Sequence, residues 1–173
     1  MTPADRIFLD CSVQRLRELM NRIETCLTAL TFEQVWTRGG ENENAAGNLV
    51  LHLAGNVRQW IVSGVGGKPD VRRRDREFAS RGDVPVAELI ERLRATVEEA
   101  AGIVATVPGE RLPERLTIQG YDVTVLEAIY HVVEHFSMHT GQIIFVTKML
   151  TGADLGFYRH LSAHAASNPG GAA

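Results

Sequence analysis

Apolar residues recur every three or four positions along four long stretches, and no comparable stretch alternates with period two, which restricts this chain to a helical fold. The first stretch runs from about Pro3 to Leu30, with Ile7, Cys11, Leu16, Leu19, Met20, Ile23, Leu27 and Leu30 read as one buried stripe. After the polar breaker RGGENEN, the second covers about Ala45 to Ser63 and carries Leu49, Leu53, Val57, Trp60 and Ile61 on one side. The clustered glycines and the proline of GVGGKPD end it. A third begins near DVPVAEL, where Asp83 suits a cap and Pro85 a first turn, and continues through Leu89, Leu93, Val97 and Ala101 to about Val107. The turn-rich connection VPGERLPERLTIQGYD follows, with a short extended piece around RLTIQG. Thr124 and Glu127, spaced as a capping box, open the fourth stretch, which reaches about Leu150 before Gly152.

Four such helices predict an all-α fold, a four-helix bundle. The connection from Gly64 to Val84 is too long for a tight hairpin, and a loop of that size either crosses the bundle or serves function. Helices two and three then run parallel, in an up-down-down-up order. Residues 1–155 are expected to form the bundle, and residues 156–173, small and polar, a partly disordered extension. The chain of 173 residues suits one domain.

Eighteen Lys and Arg against 21 Asp and Glu leave a net charge of -3, which gives no electrostatic case for nucleic acid. The one basic cluster, RRRDR at Arg72–Arg76, reads as a solvated loop, with contact to phosphate or an anionic substrate as the alternative. No apolar run approaches the roughly 20 residues that span a bilayer, and the N-terminus lacks a signal-peptide core, so a cytoplasmic protein without membrane contact is expected. Cys11 and Cys26 lie 15 positions apart in one helix, about 22 Å at 1.5 Å per residue, too far for a disulfide. Both are expected to be buried, unreactive thiols.

The segment HVVEHFSMHTGQ, His131 to Gln142, stacks three histidines at four-residue intervals. Positions four apart on a helix differ by about 40° and 6 Å, so His135 and His139 can reach one metal ion. His131, one turn earlier, is a further possible ligand, but three positions span about 12 Å, so one end of the ladder must be left out. His52, in the apolar segment GNLVLHLAGN, is the best third donor. Three imidazoles between two helices would hold a divalent metal, with zinc, nickel and iron the leading choices and copper also suited, and leave a position open for water or substrate. Core histidines bonded to carbonyls are the competing reading. Asn48 and Asn56, one turn either side of His52, either line the pocket or satisfy neighbouring backbone. Glu134 should point away from the site, Trp36, Trp60, Tyr121 and Tyr130 read as core or loop anchors, and His160 and His164 as exposed.

Taken together, NLVLHLAGNVRQWI and VVEHFSMHTGQI resemble the DinB-like family of damage-inducible and thiol-transferase-related bacterial proteins, closest to a branch without an assigned function. The resemblance extends from the first helix to about Leu150. It implies a four-helix bundle with a long second connection and a metal site made by His52, His135 and His139. His131 falls outside that triad, as a pocket residue or one that supports the ligands. Gln142 follows the pair in HTGQI, where Gly141 is expected to allow close helix packing. Some relatives are implied to use low-molecular-weight thiols such as bacillithiol or mycothiol as S-transferases or in isomerisation; a divalent ion would bind such a thiol as thiolate and make a nucleophile at neutral pH. The expectation is a metal-dependent transferase or hydrolase acting on a small molecule and assembled as a homodimer. A non-catalytic metal-binding stress-response bundle and a metal-free dimerisation module are the alternatives.

Overall fold

The computed structural model describes residues 1–159. Helix α1 spans Pro3–Thr28, a short α2 Phe32–Val35, and α3 Ala46–Val57, which continues as a π-helix over Arg58–Val65. Helix α4, Arg74–Ala79, lies inside the long connection, before α5 at Val86–Ala105 and α6 at Val125–Thr151. Strands β1, Arg115–Ile118, and β2, Tyr121–Thr124, form an antiparallel hairpin with Arg115 opposite Thr124. The molecule is mainly helical, as the periodicity predicts. The extended piece expected around RLTIQG is β1; its partner β2 and the helices α2 and α4 are additions, because elements of four to six residues are too short to show a period.

The ends of the long helices follow from local chemistry. Thr2 and Asp5 close a capping box on α1, and Thr124 and Glu127 close the expected one on α6. Gly152 ends α6 at φ 65°, a left-handed cap that a residue without Cβ adopts at little cost. Asp83 does not cap α5. It accepts from Ser80 Oγ and the Arg81 amide, while Pro85 itself takes the N-cap position. The second long helix is not uniform as expected: its last eight residues widen into the π form, which is rare and frequently marks functional sites.

Helix α1 packs on α5 and α6, and α3 packs on the same two helices. Arg6 donates to the Ala105 carbonyl at 3.3 Å and Arg17 pairs with Glu98, so α1 and α5 run antiparallel. Leu16, Ile23, Leu53, Leu93, Val97, Ile129 and Phe136 are fully buried at the centre, each contributing roughly 1.5–3 kcal/mol by leaving water. Two members of the expected α1 stripe, Ile7 and Cys11, are exposed. Each lies two positions, about 200°, from Leu9, which faces inward. Cys26 is buried as expected, and burial pushes its thiol pKa up. Gly141 is exposed and a Cβ there would meet nothing within 4 Å outside its own helix backbone, so it mediates no close packing among the described residues. Tyr121 and Tyr130 are exposed rather than anchored in the core. Gly156–Arg159 are described, and Phe157 there packs on the core. The disorder expected of the C-terminal extension, and the exposure expected of His160 and His164, otherwise fall outside the described residues. No helix among the described residues is long and apolar enough to cross a membrane.

Candidate metal centre

His52, Asn56 and Trp60 follow one another at four-residue steps along α3 and into the π-helix, facing the ladder of His131, His135 and His139 on α6. His52 Nε2 lies 2.9 Å from His135 Nε2, and the Trp60 and His131 rings sit 4.1 Å apart centre to centre. These pairings make α3 and α6 antiparallel. The rings of His52, His135 and His139 meet edge to face, and one nitrogen from each lies within 4.8 Å of the others. His131 stacks between Trp60 and His135 and takes no part in that cluster.

The long connection supplies the other half of the site. Arg38 donates to Asn48 Oδ1 at 2.6 Å, and Asn48 Nδ2 donates to the carbonyls of Glu77 and Ser80 at 2.9 and 3.0 Å. Asn48 therefore satisfies backbone and pins α4 to α3. It is not among the residues lining the cavity beside the histidines. Thus anchored, Glu77 places Oε2 3.1 Å from His52 Nδ1, and Arg72 grips both its oxygens at 2.7 and 2.8 Å. Gly55 makes room: a Cβ there would collide with the Glu77 carboxylate and crowd Arg72 Nε. The side chains of Arg72 and Glu77 are only 4% and 8% exposed. The reading of Arg72–Arg76 as a solvated loop thus fails at Arg72, because its charge is matched by a carboxylate five residues on. The run of arginines conceals that partner, and neither residue was anticipated at the site.

These contacts orient the imidazoles. With its proton on Nδ1, His52 would donate to Glu77 and turn the Nε2 lone pair toward His135 and His139; Arg72 Nη2 lies 3.1 Å from the same Nδ1. Likewise His139 Nδ1 lies 2.6 Å from Gln142 Oε1, and a proton on that Nδ1 would leave Nε2 as the acceptor. Burial drives the His135 pKa down to about 3, helped by the charges of His139, His52, His131 and Arg72. It also lowers His139 and His131. Burial alone would raise Glu77, but hydrogen bonds from Arg72 and His52 hold its carboxyl below the usual range. Neutral imidazoles beside a fixed carboxylate are the protonation states that metal ligation requires. A tetrahedral ion with bonds of 2.0–2.1 Å holds its nitrogens about 3.4 Å apart, between the closest and the widest spacing of these three. The cluster therefore fits a divalent ion.

Beside His52 and His135 opens a cavity of about 410 Å³, walled by Asn56, Trp60, His131 and the hairpin residues Tyr121 and Val123. Glu134 is exposed on α6, about 100° around the helix from His135 as expected.

Fold and site together define a mainly helical protein with a three-histidine cluster. Solved structures share the fold. A conserved protein from Enterococcus faecalis aligns with a TM-score of 0.72 at 16% identity over 83% of this chain and 97% of its own. DinB-like proteins from Bacillus subtilis (YjoA) and Bacillus cereus give 0.64 and 0.62, at 16% and 15% identity over 85% and 80% of this chain and 96% and 90% of theirs. No curated protein matches the chain. Residues 4–164 match the family model described as protein of unknown function (DUF1572), and the chain belongs to that family. The resemblance read from the two histidine motifs is borne out, including its branch of unknown function.

Proposed function

We propose that this protein is a metal-dependent enzyme in which His52, His135 and His139 hold a divalent ion whose remaining coordination position opens on the cavity beside them. The observation that carries the reading is the outer arrangement. Glu77 and Gln142 each set an acceptor oxygen at a histidine Nδ1 and so turn Nε2 inward, an arrangement that metal-binding histidines almost always show and that a purely structural core does not need. An ion held there would act as a Lewis acid, lowering the pKa of a bound water or low-molecular-weight thiol toward neutrality. The chain's own residues do the rest. Arg72 keeps Glu77 ionised and in place, Trp60 and His131 build an aromatic wall, and Tyr121 offers a hydroxyl at the cavity. The reaction class is transfer to, or hydrolysis of, a small electrophile. An S-transferase is the form of it that the DinB-like fold favours.

The antiparallel pairs α1/α5 and α3/α6, with the long connection between α3 and α5, support a single up-down-down-up bundle over residues 1–155. The exposed row Leu126, Tyr130, Met138, Phe145 and Met149 on α6 supports assembly as a homodimer. The charge balance and the absence of an apolar span among the described residues are in keeping with a cytoplasmic enzyme that binds neither nucleic acid nor membrane.

Elemental analysis of protein purified without a histidine tag should find close to one equivalent of zinc, nickel or iron per chain, and zinc should raise the Tm of metal-stripped protein. His52→Ala should abolish both effects. A metal-free protein whose Tm ignores zinc would sink the reading.

A further inference from the structure

The histidine site accounts for only part of the run RRRDR. Arg72 grips Glu77, and Arg74, whose Cζ lies 5.1 Å from the centre of the Phe78 ring, lines the cavity beside the histidines. Arg73 and Arg76 line a different opening, a cleft of about 580 Å³ between α3, the long connection and α5, and Arg92 lines it from α5.

All three of these arginines are exposed, and their guanidinium groups enter no ion pair or hydrogen bond among the described residues. The carboxylates of the lining are already engaged. Glu77 is held by Arg72, and Glu99 by Arg58 at 3.1 Å and Lys68 at 2.5 Å. Asp83 accepts from Ser80 Oγ and the Arg81 amide. The lining carries five arginines against three carboxylates, an excess of two positive charges on a chain whose net charge is -3. Exposed arginines are ordinarily solvated one by one; these three share one concavity, whose low-dielectric walls focus their field and favour an anion. Other parts of the lining are apolar: Leu51, Ala54, Val84 and Ala95, with Val71 leaving 64% of its surface exposed.

We infer that this cleft binds a phosphate monoester, its phosphate on Arg73, Arg76 and Arg92 and its organic group against Leu51, Val71 and Val84. Guanidinium forks match phosphate oxygens two at a time. A dianion balances the excess of two charges, whereas a carboxylate leaves one unmatched. The site goes beyond the proposed function and does not rest on it: none of the three arginines lines the histidine cavity, and Arg72 is the residue that the two openings share.

Phenyl phosphate, inorganic phosphate and benzoate, titrated by calorimetry into the zinc-loaded and the metal-stripped full chain, test this. At about pH 7.5 a phosphate monoester, with a second pKa of about 6, carries both charges. Phenyl phosphate should bind once per chain in both forms, more tightly than the other two, and lose affinity as salt is added. Arg76→Gln and Arg92→Gln should each weaken it about tenfold, the loss of one charge-assisted contact. Both residues are exposed and unpaired, so both variants should fold as the parent does. Inorganic phosphate or benzoate binding as tightly as phenyl phosphate, or phenyl phosphate binding that neither substitution alters, overturns the inference. So does binding that needs zinc and disappears in His52→Ala, which would put the phosphate on the ion. A single-stranded oligonucleotide that binds more tightly than phenyl phosphate and responds to the same two substitutions would make the partner a nucleic acid, and overturns it likewise.

Discussion

The inward face of α1 and the seam between α3 and α6 are built on one plan, helix against helix, yet they hold opposite chemistry. Along α1 the buried residues are Leu9, Val13, Leu16, Leu19, Met20, Ile23, Cys26 and Leu27, with Ser12 the polar member, its hydroxyl returned to the Phe8 carbonyl at 2.7 Å. The α3 side of the other seam buries Asn48, His52 and Asn56, and α4 adds Glu77. A buried polar group is tolerated when its partners are supplied, and for Asn48 and His52 they come from outside the two helices, through Arg38, Arg72 and Glu77. The difference teaches that α1 serves stability alone, whereas the α3–α6 seam depends on the connection laid across it.

That contrast can be broken at the buried ion pair first. Glu77→Gln leaves Arg72 uncompensated and should cost about 3–5 kcal/mol in denaturant unfolding. It should also weaken zinc binding roughly 10–100-fold, because His52 loses its anchor. Leu16→Ala, on the apolar side, should cost about 2–5 kcal/mol and leave zinc affinity per folded molecule unchanged, so a matching loss of zinc binding would show that the seams are not separable. Gly55→Ala sharpens the point. It should raise helix propensity by about 1 kcal/mol yet give no net stabilisation, because crowding the Glu77 carboxylate costs about 1–3 kcal/mol, and zinc affinity should fall.

Smallest is the response to acid. The folded-state pKa of His135 lies at about 3, below its ordinary 6.5, and those of His139 and His131 are also lowered, so the unfolded chain takes up protons that the folded chain resists. Stability should be full above pH 6.5 and decline as the pH falls from there toward 3. Glu77, itself depressed, adds to the loss below its ordinary 4.5. Replacing His135 with Phe should flatten the upper part of that curve in metal-stripped protein; an unchanged curve would show that His135 does not carry it.

Much of the centre was legible in the one-dimensional pattern. The four-residue spacing of His131, His135 and His139 fixes their shared face because a helix returns every 3.6 residues. The apolar flanks of His52 place it inside. Thr124 and Glu127 mark a helix start for a reason local to four residues. Arg72 and Glu77 were not legible, since their meaning depends on a connection folding back over α3, and five residues of chain do not reveal that. Of the hairpin only the extended piece around RLTIQG was legible, because four-residue strands carry no usable period, and Asn48 stayed ambiguous until its partners could be seen.

By itself, then, the sequence determined the helices, their apolar faces and the three imidazoles that share a region, since each follows from periodicity and spacing along the chain. The tertiary structure alone decided which nitrogens converge, that Glu77 and Arg72 hold them, and which residues wall the cavity beside them. Those properties belong to pairs of residues distant in the chain, and they come into being only when packing brings one helix and its crossing segment against another.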